Sequence, residues 1–267
     1  MTRPILAAVL VVALCPAVPA GAAERLTDEQ VKKLVEDIQG AYGTWRKDDL
    51  ERENLDDTVI RSAERSVKVK DFLRDFDKDI DVVRDRFKPS YAASPEVTVL
   101  LRRGSDVELR NRRQGLAPRS AWSALAGKLT ALASAYDLPF PVEDMNARGA
   151  RLNDGELAAR IQGVEQAFKQ LRGDTDKAAR ASKTIDKATR ESLKGTIQKL
   201  ERDAKDLGSR MKDDRPASME AARLLAGTDE LKRTLASLSL PASGGASWPA
   251  IERGAEALSR AYAQPTP

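Results

Sequence analysis

The same aromatic frame occurs twice in this sequence, at positions 126 residues apart. Trp122 and Tyr136 are separated by 14 residues, and Trp248 and Tyr262 are separated by the same 14 residues. This spacing equals two heptads, so the Trp and the Tyr of each pair lie on one face of a helix, at opposite ends of an apolar stripe. The frame therefore predicts that two halves of the chain are closed by the same kind of amphipathic helix.

Further matches follow at almost the same spacing along the chain. Residues 25–28 (RLTD) match residues 151–154 (RLND) at an offset of 126, and Leu100-Leu101 match Leu224-Leu225 at an offset of 124. Ordered matches of this kind indicate an internal duplication, and the segment that joins the two copies is rich in Pro and Gly. The predicted organisation is a cleaved signal peptide over residues 1–22, a first copy over 23–136, a linker over 137–150 and a second copy over 151–267.

Each copy contains four stretches whose apolar residues are spaced three and four apart, as in an amphipathic helix. The second stretch is long, and its copy keeps the spacing. Its apolar positions are Val69, Leu73, Phe76, Ile80, Val83 and Phe87 in the first copy and Leu193, Ile197, Leu200, Ala204, Leu207 and Met211 in the second. We therefore predict an all-α protein of two tandem four-helix bundles with coiled-coil-like seams and short loops, with a single elongated helical array as the alternative.

The first helix of each copy begins with a capping signal. Thr27 and Gln30 fit the two positions of a capping box, and Asn153 and Glu156 fit the same positions in the second copy. The pentapeptide Leu26–Gln30 also resembles the LTxxQ signature of small helical periplasmic stress chaperones. Because the resemblance covers five residues and is missing from the second copy, we carry over nothing beyond the helix start.

The first residues have the pattern of a secretory signal peptide. Arg3 is followed by an apolar run over residues 5–14 and by a small-residue cleavage site at Ala20-Gly21-Ala22. The run is too short to span a membrane, and no later run approaches the length of a span, so we expect no transmembrane span in the mature chain. These patterns predict export, to the periplasm or to the medium, after cleavage.

The composition removes most of the usual catalytic and metal sites. The sequence has no histidine, and its single cysteine, Cys15, lies in the predicted signal peptide. Cysteine–histidine pairs, serine–histidine pairs, Cys/His zinc sites and covalently attached haem are therefore excluded. We predict no catalytic residue, no cofactor and no bound metal.

An acidic run over residues 75–81 (DFDKDID) places four carboxylates at the spacing of a calcium-binding loop. The calcium geometry also requires glycine at the sixth position and glutamate at the twelfth, where this chain has Ile80 and Arg86. We therefore interpret the run as a solvated helix face. Its expected ion-pair partners are Arg74, Lys78 and Arg84.

The clearest difference between the two copies is a basic segment in the first one. It contains six arginines against two acids, whereas the corresponding residues 226–245 contain two bases against two acids. Guanidinium groups suit phosphates and carboxylates, so the segment is a candidate site for an anion or an acidic partner. The candidate residues are Arg102, Arg103, Arg110, Arg112, Arg113 and Arg119.

Charge and export together limit the partners. The chain carries 45 Lys and Arg against 41 Asp and Glu, which is a dense mixture of both signs rather than a polycation, so we expect no nucleic acid partner. The leading hypothesis is an exported, non-enzymatic protein that binds an envelope protein, anionic lipid headgroups or a cell-wall polymer. The alternatives are a passive helical spacer or oligomeric scaffold, and an enzyme that works with Asp, Glu, Lys, Tyr or Ser alone. The oligomeric state stays open.

Overall fold

A computed structural model describes residues 25–51, 59–61, 66–113, 120–182, 184–213, 215–240 and 247–262. Within these residues the chain forms eight α-helices, and the all-α class is confirmed. The helices are α1 (Asp28–Trp45), α2 (Val69–Arg86), α3 (Ser94–Arg113), α4 (Ser120–Ala135), α5 (Asp154–Ala181), α6 (Lys187–Lys212), α7 (Ser218–Ser237) and α8 (Trp248–Tyr262). Four of them precede residues 137–150 and four follow.

Both halves begin at a capping box. At α1 the Gln30 N–H donates to Thr27 Oγ1 (3.2 Å), and the Thr27 N–H donates to Gln30 Oε1 (2.8 Å). Asn153 and Glu156 make the same reciprocal pair at the start of α5. The predicted helix starts are therefore confirmed, and capping chemistry accounts for the pentapeptide that resembles the chaperone signature.

Each half has its own apolar core, and the predicted seams lie inside it. The first core contains all six predicted positions of α2, and the second contains all six of α6. The first core is rich in aromatic rings, with centroids of Tyr42, Trp45, Phe76 and Trp122 between 5.0 and 6.1 Å apart in each contacting pair. The second core is mainly aliphatic. Separate cores are what two bundles require, while the two domain boundaries stay a prediction.

The halves differ most between their first and second helices. In the first half α1 ends in a π-helical turn (Arg46–Glu51), and two short antiparallel strands, β1 (Val59–Arg61) and β2 (Ser66–Lys68), precede α2. In the second half α5 has 28 residues and α6 has 26, against 18 in each of α1 and α2. The helical pattern does not predict the β ribbon; its β-branched residues favour an extended backbone there.

Residues 137–150, predicted as a linker, lie along α3 and are bound to it, so we call them the strap. The hydrogen bonds join Thr98 Oγ1 to the Gly149 N–H (2.9 Å), Ser105 Oγ to the Val142 N–H (2.7 Å), and Arg102 to the carbonyl oxygens of Met145 (2.5 Å) and Ala147 (2.9 Å). Gly104 lies against the strap as well, because a Cβ atom there would be 3.3 Å from the ring of Phe140. Three polar residues of α3, Thr98, Arg102 and Ser105, therefore hold the strap.

Candidate functional site

The structure separates the six candidate arginines of the first half. Arg103 Nε donates to Asp79 (2.5 Å), and its guanidinium carbon lies 5.6 Å from the ring centre of Phe72. Arg102 holds the strap. Both side chains are therefore occupied by contacts within the chain.

Three of the other candidates lie at the C-terminal end of α3. The Arg112 side chain is 57% exposed and pairs with Glu108 (3.0 Å), whereas Arg110 and Arg113 are in no ion pair with another described residue. Basic residues in the last turn of a helix also stabilise it through the helix dipole. Arg119 lies outside the described residues. We call Arg110, Arg112 and Arg113 the α3 basic end.

The acidic run of α2 is engaged in ion pairs. Arg74 pairs with Asp75 (3.7 Å) and Arg84 with Asp81 (2.8 Å), as the interpretation of a solvated helix face predicts. Asp79 binds Arg103, and burial raises the pKa of Asp79 although the Arg103 hydrogen bond opposes the rise. Among the described residues, no three acidic or other metal-ligating side chains come close enough together to hold a metal ion.

The two halves meet at the starts of α1 and α5, where four charged residues exchange equivalent contacts. Arg25 pairs with Asp154 and donates to the Leu152 carbonyl (2.7 Å), while Arg151 pairs with Asp28 (2.8 Å) and donates to the Leu26 carbonyl (2.8 Å). The backbone N–H of each aspartate donates to the carboxylate of the other, at 2.6 and 2.9 Å. We call Arg25, Asp28, Arg151 and Asp154 the arginine–aspartate clamp.

Each of these contacts between the halves is related to its counterpart by the sequence offset of 126. An internal duplication predicts such a pseudo-two-fold arrangement, because equal surfaces pair reciprocally about a two-fold axis. The duplication itself stays a prediction, and the clamp is formed by the residues of one of its sequence matches, 25–28 with 151–154.

The clamp buries its charges. The Arg151 side chain is 2% exposed, and burial lowers the pKa of Arg151 while its hydrogen bond to Asp28 opposes the shift. Burial also raises the pKa of Tyr136, whose hydroxyl donates to the Ala92 carbonyl (2.5 Å). Arg151 Nε is buried without a hydrogen-bond acceptor among the described residues. The charges of the clamp are thus paired, but one N–H donor, that of Arg151 Nε, has no acceptor among the described residues.

A cleft of about 640 Å³ opens beside the clamp, between α4 of the first half and α5 and α8 of the second. Part of its lining repeats between the halves at the offset of 126. The equivalent pairs are Arg25 with Arg151, Leu26 with Leu152, Ala131 with Ala257, and Ala135 with Ala261. Because the alanines have short side chains, the two closing helices leave space between them, and that space has an apolar lining.

The two walls of the cleft differ in charge. The second half contributes Arg160, Arg253, Glu256 and Arg260, where the equivalent positions of the first half are Leu34, Gly127, Thr130 and Ser134. Arg260 pairs with Glu256 (2.6 Å), whereas Arg160 and Arg253 are exposed and in no ion pair with a described residue. The first half contributes one acid to the lining, Asp137. We call Arg160, Arg253 and Arg260 the basic wall.

The basic wall is not predicted from the sequence, although the sequence contains a signal for it. The comparison of the two copies that singles out the segment of α3 also shows three arginines of the second copy in place of neutral residues. These arginines are spread over two helices that are far apart in sequence, so no contiguous basic run marks them. Only the fold brings Arg160 of α5 next to the arginines of α8 in one cleft.

Comparison of the chain with protein-family models, with curated proteins and with solved structures finds no match. No helix among the described residues combines the length and the apolarity needed to cross a membrane. The function is therefore inferred from the chemistry of the cleft and of the α3 basic end.

Proposed function

We propose that this chain is an exported, non-enzymatic helical protein that binds an anionic ligand in the cleft between its two halves. The observation that carries the proposal is the combination of a cleft of about 640 Å³ with one basic wall. Sites for small molecules typically measure roughly 300–1,000 Å³ and are mostly apolar with a few polar groups. Arg160 and Arg253 supply such groups, and their planar guanidinium donors match a carboxylate or a phosphate.

The residues of the cleft support binding rather than catalysis. General acid–base chemistry needs a titratable group within hydrogen-bond reach of the reacting atoms. Glu256 is held by Arg260 (2.6 Å), and Asp137 is the other carboxylate of the lining. The chain has no histidine to serve as a base near neutral pH. An enzyme and a passive spacer are the rival functions.

The export part of the proposal is supported by the first 22 residues alone, which read as a signal peptide. An exported protein with this cleft meets lipids, their free acids, cell-wall fragments and acidic peptides of the envelope. The proposal is therefore tested with the mature chain taken from its own envelope.

The experiment is extraction and mass spectrometry of small molecules that copurify with the mature protein. Three proteins are compared: the wild type, an Ala131→Trp variant that fills the cleft, and an Ala226→Trp control on α7. Both alanines are exposed, so both variants should fold, and far-ultraviolet circular dichroism checks this. We expect an anionic compound with the wild type and the control but not with Ala131→Trp. An identical extract from all three proteins, or no bound compound in the wild type, would refute the proposal.

A second candidate function is recognition of an acidic macromolecule by the α3 basic end. The observation that favours it is that Arg110 and Arg113 have no ion-pair partner among the described residues while Arg112 is 57% exposed. Replacement of all three by Ser should abolish salt-sensitive capture of that partner from envelope extract, because exposed charges are screened beyond about 10 Å at 0.1 M salt. Capture that is equal for the variant and the wild type would leave the three arginines with their role at the helix end.

A further inference from the structure

We infer that the cleft takes a single-chain anionic amphiphile, with its charged group at the basic wall and its apolar chain along the wall formed by α4. This inference rests on the proposed function and names the chemical class of the ligand. A free fatty acid, an alkyl sulfate or a lysophospholipid carries the required chemistry, which is one anionic head and one unbranched chain.

The apolar part of the inference rests on the residues that repeat between the halves. Ala131 and Ala135 of α4 lie opposite their equivalents Ala257 and Ala261 of α8, and Leu26 adds apolar surface near the clamp. Their short side chains leave a space with an apolar lining that an alkyl chain can occupy. A chain placed there removes apolar surface from water, which is the main source of favourable free energy in such sites.

The anionic part rests on donors that have no acceptor. Arg160 and Arg253 are exposed at the cleft and are in no ion pair with a described residue. Arg151, whose side chain is 2% exposed, lines the same cleft and keeps an N–H without an acceptor among the described residues. A buried donor without an acceptor costs free energy. An anionic group in the cleft brings acceptors close to these arginines.

A simpler ligand would use only half of the lining. A small inorganic anion would contact the arginines and leave the alanine faces in water. A neutral alkyl chain would cover the alanines and leave Arg160 and Arg253 without a counter-charge. Only a ligand with both parts matches the asymmetry between a basic wall from the second half and a neutral wall from the first.

The test is isothermal calorimetry of the whole mature protein with three probes, each below the concentration at which it forms micelles. The probes are dodecanoate, which has both parts, inorganic sulfate, which has only the charge, and dodecyl maltoside, which has only the chain. We expect one dodecanoate per chain, bound at least about tenfold more tightly than either of the other probes, because each loses one set of contacts.

Two variants locate the binding. Ala131→Trp should abolish it, and Arg160→Gln with Arg253→Gln should weaken dodecanoate at least about tenfold, because charge-assisted hydrogen bonds are lost. The matched control is Arg202→Gln with Arg233→Gln, two exposed arginines of α6 and α7 outside the cleft, which should bind like the wild type. A comparison of dodecanoate with a lysophosphatidic acid distinguishes carboxylate from phosphate sources.

The other outcomes are separable. Sulfate that binds as tightly as dodecanoate, and is lost with the two arginines, would overturn the amphiphile and leave the proposed anion site intact. Dodecyl maltoside that binds equally well, or no binding by dodecanoate together with no copurified anion, would overturn both. Dodecanoate that binds Ala131→Trp as well as the wild type would show that the chain occupies another surface.

Discussion

The two halves of the molecule share a frame and differ in how their helices are joined. At the contact between the second and third helices, the first half has Arg103, which reaches Asp79 of α2 (2.5 Å). The equivalent position of the second half is Gly227, where a Cβ atom would lie 2.6 Å from Leu200 of α6. At this position one half has an ion pair and the other a close contact between the α7 backbone and the Leu200 side chain, while the ion pair of α6 with α7 lies elsewhere, between Arg210 and Glu220 (3.2 Å). A repeated apolar spacing thus determines which faces meet but not the chemistry between them.

The same contrast holds for the way each half covers its core. The first half adds the strap, whose Leu138 and Val142 join its core, and a cluster of aromatic rings around Trp45. The second half lengthens two helices instead, so that α5 and α6 cover one another. The cleft lies between the two halves. Its wall from the second half is basic, whereas its wall from the first half carries no comparable group of arginines among the described residues.

The largest effect should come from the two tryptophans that head the closing helices. Trp122 and Trp248 are 1% and 3% exposed, so either change to Ala should cost about 3–5 kcal/mol of unfolding free energy. Trp122→Ala should be the costlier, because its ring lies 5.0 Å from that of Trp45 and the substitution also removes this aromatic contact. Urea unfolding followed by circular dichroism measures both.

The conservative controls are Trp122→Phe and Trp248→Phe, which keep most of the buried area and should recover more than half of each loss. Losses below about 0.5 kcal/mol at both positions, as at surface sites, would mean that neither tryptophan contributes to the packing of its core. Equal losses for Trp122→Ala and Trp248→Ala would mean that the aromatic neighbours in the first core add nothing to the stability that its tryptophan provides.

The next largest losses of unfolding free energy are expected at the clamp. Its contacts are symmetric, but Arg151 and Asp28 are more buried than Arg25 and Asp154. Arg151→Ala should cost about 3 kcal/mol, because it leaves the carboxylate of Asp28, 15% exposed, without its partner. Arg25→Ala should cost about 1–2 kcal/mol, because Asp154 is 21% exposed and keeps a second arginine, Arg151, at 3.8 Å. Differential scanning calorimetry of both variants gives the order. A larger loss for Arg25→Ala would show that burial does not decide between the two arginines.

Periodicity in the sequence predicts the parts of this fold that depend on burial. The helix class, the capping boxes and the seams of α2 and α6 all follow from apolar spacing and from the residues at the helix starts. The strap is missed because its hydrogen bonds use backbone groups of residues 137–150, which no side-chain pattern reveals. The contacts of Arg102 and Arg103 are not predicted either, because a sequence does not show that the strap carbonyls and Asp79 lie beside them.

The smallest change in unfolding free energy is expected for glycine-to-alanine substitutions in the two closing helices. The change should be stabilising in the first half and destabilising in the second. Gly254 of α8 is buried, and a Cβ atom there would lie 2.0 Å from Val164 Cγ2, whereas Gly127 of α4 has nothing within 4 Å of that position. Gly127→Ala should stabilise the protein by about 0.5–1 kcal/mol through helix propensity. Gly254→Ala gains the same propensity but overpacks α5 against α8, so the net change should be a loss of about 1 kcal/mol. Thermal unfolding resolves both signs, and stabilisation by Gly254→Ala would mean that Val164 can move aside and that the close approach is not required.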